Sequence, residues 1–471
     1  MTVHEDDKEA GSPDEALCHL PATFLLAKEM AKGLGRSAVL FGKMPPRCKV
    51  GTSYVSQATS LDGQLEETVS WTGTREAALE RLQVFLPRAG RAYASSRNHD
   101  LGPHNRSNVS CLSPWIRHRL LLEEEVVRET RLRHSFSEAE KFLQEVFWRS
   151  YFKGWLEQHP GVWLQYRSDV SRLVNQLENS SQLHTRYENA ISGNTGIDCF
   201  DFWAVELAET GYLHNHARMW FASIWIFTLC LPWQLGADFF YRHLLDGDPA
   251  SNTLSWRWVA GLHTKGKNYI ARPANIEKYT DGRFSPKGLV PDAAPLVELE
   301  DHPLCLIDRA DCLPDEVPFG LVITEEDCHV QSLPLARNPR GICSLATTEA
   351  RSPLAIGQPM RRFATDALSD ASGRAQAIFE CQVHRADAKD CGAFLVEWAQ
   401  DIGVKTIVTS WIPVGPVRDR IDQARPALHQ AGVTLLQIRR PYDQACWPHT
   451  TRGFFKLKAK IPGLIEQLNL S

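Results

Sequence analysis

Hydrophobic periodicity along this chain changes character near residue 285, and that change constrains the fold more than any single motif. From about residue 74 the apolar residues recur at helical spacing, beginning with Ala77, Leu79, Leu82, Val84 and Phe85. Further helices are expected at about 114–131, 136–158, 164–177, 199–209, 212–230, 234–246 and 253–262. Their connections are short and polar, SFSE and GNTG among them, and Ser and Asn there suit caps and turns. Beyond 285 the proline-rich stretch KGLVPDAAPLVELEDHP reads as a linker. Short β-like runs follow at 303–307, 319–324, 375–383, 405–412 and 434–438, and helices at about 386–402 and 416–431 separate the later ones. Strand–helix alternation of this kind implies a parallel sheet. The expected protein is therefore multidomain: an extension over 1–70 with one helix at 13–35, and a mainly α-helical domain over 71–290. A linker and the start of an α/β region occupy 291–374, with 333–374 a long loop, before a smaller C-terminal α/β domain over 375–471.

At 471 residues the chain is long for one core, in keeping with that division. The formal net charge of −4 carries no global signal for nucleic acid, though it is compatible with a local basic cleft. The 12 cysteines stand singly with no C-x-x-C pair, which argues against a zinc module, a redox dithiol or a disulfide framework. No metal site is expected, and reduced thiols suit a cytoplasmic enzyme. The opening residues, MTVHEDDKEAGSPDE, lack a charged-then-apolar leader pattern. The most apolar run, 219–233, is too short to span a bilayer and reads as a core helix, so a soluble protein is expected. The α/β region contains neither G-x-G-x-x-G nor a Walker loop.

Nine of the 14 tryptophans lie between Trp148 and Trp258. Such a cluster is either ordinary packing or a stacking and electron-transfer site beside a planar cofactor. Several blocks surround it in order. Tyr93 and Arg97 form Y-x-x-x-R, VSCLSPWIR follows at 109–117, and FLQEVFWRSYF lies at 142–152. A G-x-T-G turn at 193–196 precedes the block T-G-x-x-H-N-x-x-R-M, and D-x-D-x-A-x-N-x-x-x-W-x-W ends at Trp258. Taken together, these blocks resemble the FAD-binding domain of DNA photolyases and cryptochromes.

That resemblance implies an FAD site. Tyr93, Ser110, Leu112 and Ser113 would serve the phosphate side, where hydroxyls and N–H groups at a helix start suit a pyrophosphate. A plain serine N-cap fits the same residues. Glu145, Arg149, Asn215, Arg218, Asp246, Asp248 and Asn252 would complete the cofactor shell, with Arg218 paired to Asp246 and Asn252 beside the flavin. A solvated turn is the other reading of D-G-D. Glu145, Trp148, Asn215, Met219 and Trp258 would face a base flipped out of the duplex, and hence act in catalysis. They are equally compatible with helix packing. Trp256 and Trp233 match the inner and middle members of the family's electron-supply chain.

Some positions depart from the family pattern. Val109 stands where a threonine is usual, Tyr212 where tryptophan is common, and His216 where an arginine follows H-N. Ala190 takes the outer tryptophan position, with either Tyr187 one turn earlier or an exposed tryptophan elsewhere as a substitute. Lys265, Lys267 and Arg272 offer either DNA phosphate contacts or a solvated basic loop. The end of the chain has the strand–helix–strand look of the family's antenna domain, which ordinarily precedes the helical domain, and no antenna chromophore can be inferred from it. The implied function is light-driven, FAD-dependent repair of pyrimidine dimers in UV-damaged DNA. The rival is a cryptochrome-like photoreceptor that binds FAD without repair.

Overall fold

The computed structural model describes residues 69–386 and 390–471, all within one structural unit, Gln64–Ser471. The expected helix at 13–35 and nearly all of the 1–70 extension lie outside the described residues. Twelve helices come first: α1 Arg75–Phe85, α2 Arg91–Ser96, α3 Ser113–Arg117, α4 Glu123–Arg133, α5 Phe136–Glu157 and α6 Pro160–Asn179. They continue as α7 Ser181–Ile191, α8 Asp198–Thr210, α9 Asn215–Ser223, α10 Trp233–His243, α11 Pro249–Ala260 and α12 Pro273–Tyr279. Local chemistry sets their ends. Ser135 and Glu138 form a capping box that starts α5, and Asp248 caps α11 ahead of Pro249. Left-handed Gly211 and Gly261 close α8 and α11. At 22 residues α5 is the spine of this layer, packing against α2, α4, α6 and α11.

Sequence and structure part in three places here. The single helix expected at 114–131 is two, α3 and α4, because the chain turns through a left-handed Arg119 (φ 50°). The helix expected at 212–230 is α9 followed by a π-helical turn, Ile224–Thr228, a form often found near functional sites. Finally, α7 and α12 fall where no helix is expected.

The second layer is a five-stranded parallel sheet in the order β3-β2-β1-β4-β5. Its strands are β1 Gly320–Thr324, β2 Gly341–Leu345, β3 Val383–Ala386, β4 Thr406–Ser410 and β5 Thr434–Ile438. Three long helices flank it: α13 Gln358–Phe379, α14 Cys391–Asp401 and α15 Pro416–Gln430. The chain ends in α16 Pro441–Cys446, α17 Phe455–Lys458 and α18 Ile461–Gln467. Residues 303–307 form no strand; Leu304 and Leu306 are exposed, with no neighbouring strand to pair with. Most of 375–383 belongs to the end of α13, whose buried Ala367, Leu368, Ala371 and Ala375 follow helical spacing. The stretch expected as a loop, 333–374, contains β2 and most of α13, because a five-residue buried strand such as GICSL has no alternation to detect. A boundary at 374/375 therefore falls inside α13, with β1 and β2 before it.

The two layers share a core. One buried cluster joins Leu82, Phe142 and Phe147 of the helical layer with Leu321, Ile342, Phe363 and Trp447. Among the described residues no helix is long and apolar enough to cross a membrane.

Candidate functional site

A cavity of about 890 Å³ opens between α5, α9, α11 and the segment 109–116. That is the size of a site for a sizeable organic ligand. Its polar end is built on the turn Asp246–Gly247–Asp248. Arg218 donates two bonds to Asp246, at 3.0 and 2.9 Å. Burial opposes ionisation of Asp246, but Arg218 and a hydrogen bond from Ser113 prevail and hold its carboxyl below the ordinary range. Left-handed Cys111 (φ 55°) turns the chain so that Ser110 and Ser113 both border the cavity. Tyr212 lies at this end too, with Trp71 stacked on it at 4.9 Å and the guanidinium groups of Arg106 and Arg218 at 4.7 and 5.2 Å from its ring centre.

Arg149 is the informative residue. It lines the cavity, yet its Nε and Nη2 are buried without a hydrogen-bond partner. Ser251 Oγ and Trp256 Nε1 are in the same condition on the same wall. Buried polar groups are seldom left unpaired in a folded protein. Convergent unpaired donors, one of them cationic, fit a ligand bearing anionic or carbonyl oxygens. Asn252 also borders the cavity, and a bond from its Nδ2 to the Ala237 carbonyl at 2.8 Å orients its amide.

The other end is aromatic. Tyr93, Trp148, Trp258 and Phe152 line it together with Glu145, Asn215 and Met219. Arg97 holds Glu145 at 2.5 Å. Burial raises the proton affinity of Glu145 despite that arginine. Neither tryptophan is bare: Phe454 stacks on Trp148 at 3.8 Å and 12°, and Tyr269 stacks on Trp258 at 5.7 Å. His263 accepts or donates at Tyr151 Oη, 3.1 Å away, and burial, with Arg257 and His159, lowers its pKa to about 4.

Three of the residues expected to bind the cofactor, catalyse or relay electrons do not line this cavity. Leu112 is packed in the core. Asp248 accepts from the Ser251 N–H at 2.8 Å and pairs with buried Lys153 at 3.7 Å, so it shapes the turn from behind. Trp233 stacks on Tyr166 at 5.8 Å, whereas the rings around Trp256 are Phe240, Trp225 and Phe221. Gly236 makes that arrangement possible, since a Cβ there would come within 2.4 Å of Trp256 and 2.9 Å of Trp225. Trp225 in turn meets Tyr187 at 6.1 Å, and Ala190 is buried nearby on α7.

The site also rests on the sheet, which nothing in the local sequence signals. Glu325, Glu326 and Asp327 follow β1, where the strand order reverses between β1 and β4. Ligands ordinarily bind at such a reversal. Here side chains from the helical layer occupy it. Arg117 makes two bonds to Glu326 at 2.7 and 2.6 Å, and Arg119 and Arg440 share Asp327. Arg117 and Arg351, the latter beside Glu325, both donate to the Gly247 carbonyl, at 2.8 and 3.1 Å. Acids of the α/β layer thus fix the Asp246–Asp248 turn through two arginines. Sequence reasoning also missed Tyr151, His263, Arg452, Phe454 and Phe455, all of which line the cavity. The first sits inside the quoted FLQEVFWRSYF block, but the last three lie some 300 residues from Trp148, beyond any local pattern.

Residues 142–287 match the family model for the FAD binding domain of DNA photolyase. A deoxyribodipyrimidine photo-lyase of Streptomyces griseus is 32% identical over 189 residues, which is 40% of either chain. A cryptochrome DASH of Idiomarina loihiensis is 26% identical over 278 residues, 57% of this chain and 59% of that one. The matched part therefore spans about half the length of these relatives. Among solved structures, a bacterial class III photolyase from Agrobacterium tumefaciens superposes with a TM-score of 0.37 at 25% identity, covering 44% of this chain and 42% of its own. A Synechocystis cryptochrome gives 0.39 at 23%, covering 47% and 46%. Tyr93 to Ser113 lie ahead of the segment that the family model matches and join the site through the fold alone. With residues 142–287 matched and its cavity furnished with unpaired donors, the helical part of the chain is similar to the FAD binding domain of DNA photolyases and cryptochromes.

Proposed function

We propose that the protein binds FAD in this cavity and uses it in light to split pyrimidine dimers in damaged DNA. The observation that carries the reading is one cavity with two chemically different ends. Arg149, Arg218, Asp246 and Asn252 border the polar end, while Glu145, Trp148, Asn215, Met219 and Trp258 border the other. Arg149, Ser251, Ser110 and Ser113 would hold the cofactor's oxygens, and Arg218 keeps Asp246 ionised beside them. When bound, FAD would supply the light-absorbing and electron-donating chemistry. The protein residues position a flipped base against the aromatic wall, exclude water from it, and offer the Glu145 carboxyl to a base carbonyl. Its raised proton affinity lets that carboxyl donate as well as accept. A cytoplasmic setting, expected from the singly placed cysteines, belongs to this reading.

The test separates the two ends. Asp246→Ala or Asn252→Ala loses flavin absorbance, whereas Trp148→Ala keeps flavin and loses binding of dimer-containing DNA. Reduced, illuminated, flavin-loaded protein that leaves thymine dimers intact rules out repair. One observation favours the second reading, a photoreceptor without repair: Phe454 already covers a face of Trp148. Light-dependent partner binding with no loss of dimers would select it.

A further inference from the structure

The segment after α16 has no counterpart among the residues that define the cavity from sequence. It leaves the sheet, crosses α5 and reaches the cavity mouth. Three features seat it. Gly154 of α5 leaves room for Trp447 and Thr450, since a Cβ there would lie 2.6 Å from Thr450 Oγ1. Gln158 donates to the Trp447 carbonyl at 3.1 Å and to Thr450 Oγ1 at 2.8 Å. Phe454, only 4% exposed, stacks on Trp148. The segment is therefore held as part of the cavity wall.

What it presents outward is of a different character. Phe455, the next residue, borders the cavity and is 74% exposed. Arg452, Lys456, Lys458 and Lys460 surround it, and the chain has no Asp or Glu between Asp443 and Glu466. Lys458 lies 3.8 Å from Glu140, but Arg452, Lys456 and Lys460 form no ion pair among the described residues. Thr264, which also borders the cavity, is followed by exposed Lys265. In a chain of net charge −4 this is a concentrated positive patch around one exposed aromatic ring at the mouth of an aromatic-walled cavity. Cations on exposed stems suit backbone phosphates, and an exposed ring suits an unstacked base.

From this we infer that residues 452–460 form a nucleic-acid-binding lip. Lys456, Lys460 and Arg452 take strand phosphates, and Phe455 stacks on a base at the cavity entrance. The inference deepens the proposed function by naming how the strand is held, and it rests on that reading only for its choice of partner. Its test runs in the dark, independent of repair. Flavin-loaded protein is titrated into a fluorescent single-stranded 15-mer across a range of salt concentrations. Lys456→Gln with Lys460→Gln lowers affinity and reduces the magnitude of the log-affinity against log-salt slope by about 1.4, from ~0.7 per phosphate contact on a single strand. Phe455→Ala weakens binding roughly 5- to 150-fold with the slope unchanged. The substituted side chains are exposed, and flavin absorbance of the double lysine variant reports that it is folded. Wild-type binding with unchanged affinity and slope in these variants overturns the lip alone. A wild-type chain that binds no oligonucleotide, or binds only anionic lipid vesicles, overturns the lip and the choice of partner together, while FAD binding is judged separately by absorbance.

Discussion

Replacing Arg149 with methionine should leave the ligand-free protein nearly as stable as before and sharply weaken its hold on the ligand. Methionine keeps the length and apolar stem of arginine but removes the charge and every donor. Without a ligand, Arg149 Nε and Nη2 are buried and unpaired, a condition that costs about 1–3 kcal/mol. Against this, the guanidinium favours the ionised forms of Asp246 and Asp248, and that contribution is lost in the variant. The two terms oppose each other, so the flavin-free variant should unfold within about 1 kcal/mol of the wild type, roughly 2 °C for a chain of this size. Binding is a different matter. A hydrogen bond from a charged donor contributes about 1.5–3 kcal/mol, so FAD affinity should fall about 10- to 150-fold. At FAD one hundred times the wild-type Kd, the ligand stabilises the wild type by about 2.7 kcal/mol. For a variant binding a hundredfold more weakly, the same concentration gives only ~0.4 kcal/mol. Thermal unfolding with and without FAD, alongside a flavin absorbance titration, measures both effects. A variant that is much less stable without flavin yet binds it normally would show that Arg149 is an internal support, and the inference from its unpaired nitrogens would fail.

Other outcomes follow from the same geometry. The pKa of His263 lies near 4 in the folded chain and near 6.5 when unfolded, so the unfolded state takes up the extra proton as pH falls through that window. Stability should drop by up to about 3 kcal/mol between pH 6.5 and 4 on its account, and His263→Gln should flatten urea midpoints measured across that range; parallel curves would refute the assignment. Gly154→Ala, which ordinarily gains about 1 kcal/mol inside a helix, should instead lower the melting temperature, because overpacking against Trp447 and Thr450 costs about 1–3 kcal/mol. Glu326→Gln breaks a buried two-bond pair with Arg117 and should cost about 3 kcal/mol in chemical unfolding, together with flavin retention, since Arg117 then holds Gly247 less firmly. Trp225→Phe should slow light-driven flavin reduction more than Trp233→Phe, because Trp225 is the tryptophan in ring contact with Trp256; the reverse order in a timed absorbance assay would restore Trp233 as the relay.

Much of the site can be read from the sequence because its polar end is local. Arg218, Asp246 and Asn252 sit in short blocks at helix ends, and those blocks are legible because they resemble a known domain. The helical layer is legible for a local reason: α5 and α10 carry their apolar faces and caps within their own residues. What fails is whatever depends on partners far away in sequence. β2 is five buried residues with no alternation, and it becomes a strand only by pairing with β1 and β3. Asp248 looks like a ligand in its motif, but buried Lys153 and Arg117 draw it away from the cavity. Trp233 is the relay that the resemblance implies, whereas the tryptophan packed against Trp256 across Gly236 is Trp225, which no local pattern marks.

By itself, then, the sequence determined a helical domain with its caps, because periodicity and capping are short-range chemistry, and its resemblance to a known family implied an FAD site with Arg218 paired to Asp246. Only the tertiary structure decided that the α/β layer braces that turn through Arg117 and Arg351, and that the segment carrying Phe454 closes the aromatic wall. Both depend on buried charges and rings hundreds of residues apart finding one another when the layers pack, and no pattern within either segment encodes that meeting.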